Sequence, residues 1–263
     1  MPFRPLFSHP PKLPSHPVIL VVGATSLIAR ELCRRFAARG WRIVLAGRRG
    51  DALEEIAADL RVRWPIDVTT LVLSPQDPGA ADECVARANA AVAGGIDGVV
   101  VCHGKLIQEE DRFLSPREIR DLIDVNFTTA AVILGTAAAH LEQRGGGFLA
   151  AISSVAGDRG RQSNYNYGAA KAGLTAYLSG LRNRLAVKGI PVLTIKPGFV
   201  ATPMIAGTPA EDSVLTATPR RVADDIDRAI LRGADILYTP WYWRPILLII
   251  RALPEAVFKR LRM

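Results

Sequence analysis

Apolar positions along this chain fall into short unbroken runs separated by stretches with helical spacing. The runs at 18–22, 42–46, 69–73, 97–102, 148–152, 192–195 and 236–238 have strand length and carry few polar residues. Between them, 26–38, 51–60, 78–92, 165–187 and 219–232 read as amphipathic helices, and 116–142 as one long helix or two joined ones. Strands that are apolar on both faces and alternate with helices predict a parallel sheet covered on both sides. With right-handed crossovers this is a single-domain Rossmann-type α/β fold, a doubly wound parallel sheet of about seven strands. Ligands of such folds sit beyond the C-terminal strand edges, where the strand order reverses.

The two ends of the chain break this rhythm. Pro2, Pro5, Pro10, Pro11, Pro14 and Pro17 keep residues 1–17 from forming a helix or a central strand, which predicts an extended arm. It lacks the apolar centre of a signal peptide. The domain then spans 18–240, and 241–263 forms a C-terminal extension of it. In that extension Trp241, Tyr242 and Trp243 precede the apolar run 246–250, with Arg244, Arg251, Lys259 and Arg260 around it. Aromatics, a short apolar helix and cations suit an interfacial membrane element. They suit equally a helix packed on its own domain or on another subunit. No run of about 18 apolar residues predicts a membrane span.

Composition narrows the classes of partner. The formal charge is +8, yet the basic residues are spread through the helices and no nucleic-acid-binding motif appears, so no nucleic-acid partner is expected. His9, His16, His103 and His140 show no metal spacing, and no metal is expected. Cys33, Cys84 and Cys102 are far apart, which suits a reducing, cytoplasmic setting.

Candidate chemistry lies at the strand ends. The first turn reads Val22-Gly23-Ala24-Thr25-Ser26-Leu27-Ile28-Ala29. Small residues here let a pyrophosphate approach the amides of a helix N-terminus, so Gly23, Thr25, Ser26, Leu27 and Ile28 are candidate cofactor contacts. A plain strand-to-helix turn capped by Ser26 reads the same way. The second strand ends at Arg48-Arg49, where an acidic residue would favour NAD. Two guanidinium forks suit a 2′-phosphate instead and predict NADP(H) in preference to NAD(H). Further on, Tyr167 and Lys171 are four apart on one helix face. An ammonium beside a phenol is expected to lower its pKa into general acid–base range. A hydroxyl at a strand end, Ser153 or Ser154, polarises a carbonyl oxygen.

This combination resembles the short-chain dehydrogenase/reductase family from Val18 to about Tyr238. In that family a serine stands thirteen positions before the tyrosine of a Tyr-x-x-x-Lys motif, which selects Ser154 for Tyr167. Tyr165 is a decoy, since Ala169 lies four positions after it. Asn126 matches the asparagine of the long central helix. The resemblance implies a nicotinamide-dependent oxidoreductase acting on a carbonyl compound or secondary alcohol, assembled as a homodimer or homotetramer. In it Tyr167 gives the proton, Ser154 holds the oxygen, Lys171 holds the nicotinamide ribose, and Asn126 positions a water on Lys171. It further implies cofactor contacts at Gly104, Pro197, Gly198, Val200 and Thr202. A catalytically idle NADP-binding sensor or scaffold shares the fold, but has no need of the four catalytic positions.

The chain also departs from the family. Leu27 and Ala29 replace glycines, Ser74 stands where an aspartate usually meets the adenine, and Cys102-His103-Gly104 replaces an asparagine-rich strand end. His103 is expected to brace the sheet rather than contact the cofactor. The Gly-x-Thr-Ser-x-Ile turn, the His-Gly pair and the C-terminal ending resemble the subgroup containing decaprenylphosphoryl-ketoribose reductase. That likeness implies a lipid-linked keto-sugar or another greasy or phosphorylated carbonyl substrate, met at the inner face of a membrane if the tail is interfacial.

Overall fold

The computed structural model describes residues 9–73, 78–108 and 112–261. Its strands are β1 (Val18–Val22), β2 (Arg42–Gly47), β3 (Val68–Val72), β4 (Gly98–Val101), β5 (Phe148–Ile152), β6 (Val192–Pro197) and β7 (Ile236–Thr239). They form one parallel sheet in the order β3-β2-β1-β4-β5-β6-β7. The helices are α1 (Leu27–Ala38), α2 (Gly50–Arg63), α3 (Pro78–Ala90), α4 (Pro116–Ile123), α5 (Thr129–Arg144), α6 (Tyr165–Ala186), α7 (Pro219–Leu231), α8 (Trp243–Ala252) and α9 (Glu255–Phe258).

Alternate side chains of each central strand feed two separate cores. Ile19 and Val21 of β1 pack with Leu32 and Phe36 of α1, Leu53 of α2 and Ile226 of α7. Val18, Leu20 and Val22 face the opposite layer, with Val85 of α3, Leu134 of α5 and Leu178 of α6. Each fully buried aliphatic chain contributes about 1.5–3 kcal/mol, which is why the strands read as apolar throughout. The winding reverses between β1 and β4. There Val22 pairs with Ala46 on one side and Val101 on the other, so the three strand ends are level and open a crevice.

One helix runs past its expected end, and another takes one of the two forms expected of it. Helix α2 runs to Arg63, a turn past its last buried apolar residue, Leu60, and there Arg63 pairs with Asp59 at 2.6 Å. The 116–142 stretch is one continuous helix through α4, a π-helical turn at Asp124–Thr128, and α5. Ser115 opens it with a reciprocal capping box to Glu118. By length and composition Pro116–Arg144 could cross a bilayer, but its apolar side, including Ile133, Leu134 and Leu141, is buried in the core.

The ends are packed where they are described. Residues 9–17 contain no helix or strand, and Leu13 lies on the α1 side of the core. Helix α8 buries Trp243 and Leu247 against Val155, Phe199, Leu215 and Tyr238 of its own domain, while Leu248 and Ile249 remain exposed.

Candidate active site

The level ends of β1, β4, β5 and β6 border a cavity of about 400 Å³. Thr25, Ser26, Leu27, Ile28, Arg49, Gly104, Ser154, Tyr167, Lys171, Pro197, Gly198, Val200 and Thr202 all line it. Gly23, Arg48 and Asn126 do not, and Ser74 lies outside the described residues.

On the β1 side, the Gly23 and Ala24 amides both donate to the Ala46 carbonyl, at 2.9 and 3.1 Å. This folds the turn flat against the end of β4. A Cβ at Gly23, whose φ is +78°, would stand 2.6 Å from the His103 amide nitrogen, so only glycine fits. Ser26 then caps α1, its Oγ accepting from the Ala29 amide at 3.2 Å, and the first turn of the helix faces the cavity. Arg48 and Arg49 follow β2 as exposed side chains. Arg30, one turn into α1 on the Ser26 face, also lines the cavity, and its buried Nε has no hydrogen-bond partner.

His103 is half-buried between the cavity and the Val125 backbone, with both ring nitrogens out of solvent and no partner at strict hydrogen-bond geometry. Burial, and then the Lys171 charge, push its pKa down to about 3, with a weaker opposing pull from the Val125 backbone. A neutral imidazole facing the crevice beneath the α1 turn is therefore available to a ligand.

The β5–α6 side is held by a denser network. Ser153 is turned away from the crevice: its Oγ donates to the Lys171 carbonyl at 2.9 Å and meets Thr175 Oγ1 at 2.7 Å. Ser154 faces the cavity, with its Oγ accepting from the Ala156 amide at 3.1 Å. Lys171 is buried and its Nζ donates to the Ile152 carbonyl at 3.0 Å, 5.8 Å from the centre of the Tyr167 ring. Asn126 sits in the π-helical turn, a device common at functional sites. Its Nδ2 donates to the carbonyls of Lys105 and Leu122 at 2.7 and 2.9 Å, and its Oδ1 accepts from the Lys105 amide at 3.1 Å. That pins the segment after β4 and keeps Gly104 beside Lys171: a Cβ there would lie 3.5 Å from Lys171 Nζ.

The expected lowering of the tyrosine pKa is not found. Burial dominates and raises Tyr167 to about 12, with a hydrogen bond to Ser154 pulling in the opposite direction. Burial likewise lowers Lys171 to about 8. The lysine is tied to the Ile152 carbonyl rather than to the phenol, so desolvation outweighs charge. Cys102, also in the cavity wall, is raised by burial to about 12 and stays a thiol.

On the β6 side, Gly198 is required by a close approach rather than by its φ. A Cβ there would stand 1.9 Å from the Trp243 indole, so α8 is seated directly behind the Pro197-Gly198 turn. Pro203, Met204 and Ile205 complete the cavity. Like Arg30, they were not singled out from the sequence; Arg30 was discoverable as the residue four after Ser26, whereas 203–205 lie in an irregular segment without periodicity.

This arrangement has counterparts among known proteins. Residues 17–213 match the short chain dehydrogenase family. The chain belongs to that family. Its members are NAD(P)-dependent oxidoreductases, and so is this protein. A relative from Mycobacterium tuberculosis, described as an uncharacterised oxidoreductase, is 36% identical over 244 residues, covering 92% of this chain and 96% of its own. Among solved structures, a short-chain dehydrogenase from Sphingobium yanoikuyae in complex with NADPH superposes with a TM-score of 0.77 at 23% identity, covering 91% of this chain and 97% of its own. Actinorhodin polyketide ketoreductase with NADPH gives 0.76 at 24% identity, covering 87% and 97%.

The cavity fits a dinucleotide on its own terms. It offers an open helix N-terminus, basic side chains at Arg30 and Arg49, and a buried donor, Arg30 Nε, that lacks a protein acceptor.

Proposed function

We propose that this short-chain dehydrogenase reduces a carbonyl compound to the secondary alcohol with NADPH, in a reversible reaction centred on Tyr167. The observation that carries the reading is the meeting of Ser154, Tyr167 and Lys171 in one cavity with the first turn of α1. Bound NADPH would supply the hydride to the carbonyl carbon. Tyr167, protonated at neutral pH because burial raises its pKa to about 12, donates its phenolic proton to the carbonyl oxygen. Ser154 donates a hydrogen bond to that oxygen as charge builds on it. The Lys171 ammonium stabilises the phenolate left behind until solvent returns the proton. Asn126 acts by holding the Lys105 segment, and with it the wall of Gly104 beside Lys171. For cofactor choice, Arg48, Arg49 and Arg30 provide cations where NAD binding would call for a carboxylate at the end of β2. The solved relatives complexed with NADPH support the same choice.

The test is a panel of keto-sugars, acyl ketones, and steroid and retinoid carbonyls, followed by loss of NADPH absorbance, alongside fluorescence titration of both nicotinamide cofactors. The reading expects NADPH to bind more tightly than NADH and at least one ketone to be turned over. Failure of both cofactors to bind would overturn it.

A further inference from the structure

A second cavity, of about 340 Å³, adjoins the first and shares Ser154, Tyr167 and Gly198 with it. Its wall also carries Arg161, from the segment between β5 and α6. The Nε and Nη2 of this guanidinium are buried and have no hydrogen-bond partner. Burial lowers its pKa, and Asp158 is the charge that opposes this. Asp158 is already committed: one oxygen is ion-paired to the buried Lys196, and the other accepts from Tyr238 Oη at 2.7 Å. The neighbouring Arg159 shows what a satisfied guanidinium looks like here, donating to the carbonyl of Leu253 at 2.7 Å and to Glu255 at 2.9 Å. Among the described residues lining the second cavity there is no carboxylate. The same cavity is also lined by Leu106, Phe199 and Ile205.

A partly desolvated guanidinium with no carboxylate hydrogen-bonded to it is costly to the folded protein, and a planar fork pairs best with an oxyanion. We infer that the carbonyl compound reduced at Tyr167 is anionic, carrying a carboxylate or a phosphate that Arg161 binds. Its apolar portion lies along Phe199 and Ile205. The inference rests on the reading of Tyr167 as proton donor and adds the substrate's charge to it.

The experiment measures binding of matched ligands to the NADP⁺-loaded protein by calorimetry, and their reduction by the NADPH-loaded protein. The probes are levulinate and its longer keto-acid homologues against their methyl esters, and dihydroxyacetone phosphate against dihydroxyacetone. The anion of at least one pair is expected to bind about tenfold or more tightly than its neutral partner, and the pair that does so distinguishes carboxylate from phosphate. Arg161→Ala and Arg161→Gln should both abolish the preference, mainly through KM, and Arg161→Lys should restore part of it. NADPH affinity should be unchanged in all three, and the thermal melt of Arg161→Ala and Arg161→Gln no lower than wild type's, because a desolvated charge is removed. Absence of any anion preference in the wild type, or the same preference in Arg161→Ala, overturns the inference while leaving the oxidoreductase reading intact. Failure of the wild type to bind NADPH would strike that reading itself.

Discussion

The half of the cleft that carries Tyr167 and the half that carries Arg48 and Arg49 are built from different kinds of contact. On the β5–α6 side Ser153, Lys171 and Asn126 are buried and hydrogen-bonded within the fold. Ser153 ties the strand end to α6, Lys171 is fixed by the Ile152 carbonyl, and Asn126 makes three hydrogen bonds. On the β1–β2 side the backbone turn is rigid, but Arg48 and Arg49 are exposed at its rim and the buried Nε of Arg30 has no acceptor. Under the proposed mechanism the proton-transfer groups are preorganised in the fold, whereas cofactor recognition is completed by the ligand. Substitutions should therefore act on turnover in one half and on affinity in the other.

The largest effect is expected from Lys171→Met. Losing a group that supports proton transfer costs about 10²–10⁴-fold in rate. In the wild type, kcat/KM for reduction should fall above about pH 8, where Lys171 loses its proton, and this limb should vanish in the variant. A pH–rate profile of both proteins checks this. Next comes the rim. Arg48→Ser combined with Arg49→Ser should weaken NADPH about tenfold, or 1.4 kcal/mol, and leave NADH unchanged, as read by fluorescence titration. An equal loss for both cofactors would break the distinction between the two halves.

Smaller effects concern stability. Asn126→Ala strands the Lys105 amide and leaves buried carbonyls unpaired, each unmet group costing about 1–3 kcal/mol. In a chain of this size a net loss of about 1–3 kcal/mol lowers Tm by about 2–12 °C, measurable by calorimetry. His103 gives the finest effect. Its folded pKa of about 3 lies below the ordinary value of 6.5, so the unfolded chain binds the extra proton first. Stability should fall as pH drops from 6.5 towards 3, and His103→Asn should make the decline of Tm with acid shallower.

Much of this was readable in the residues because the signals are periodic or fixed in spacing. Apolar runs such as 18–22 and 148–152 report burial on both faces of a sheet, and the four-residue step from Tyr167 to Lys171 reports one helix face. What escaped depends on distances that spacing does not encode. The family spacing already pointed to Ser154, but not to the turn of the Ser153 hydroxyl into α6. The direction of the Tyr167 shift depends on how deeply the phenol is buried and on where the Lys171 ammonium points. The isolation of Arg161 follows from Asp158 being occupied by Lys196 and Tyr238, residues more than thirty positions away. None of these is local.

The most direct test is Tyr167→Phe, measured for NADPH affinity and for turnover on the same preparation. The account predicts NADPH binding within about twofold of wild type and a loss of turnover of about 10²–10⁴-fold. Undiminished reduction of the ketone by this variant would place the proton donor elsewhere and contradict the central claim.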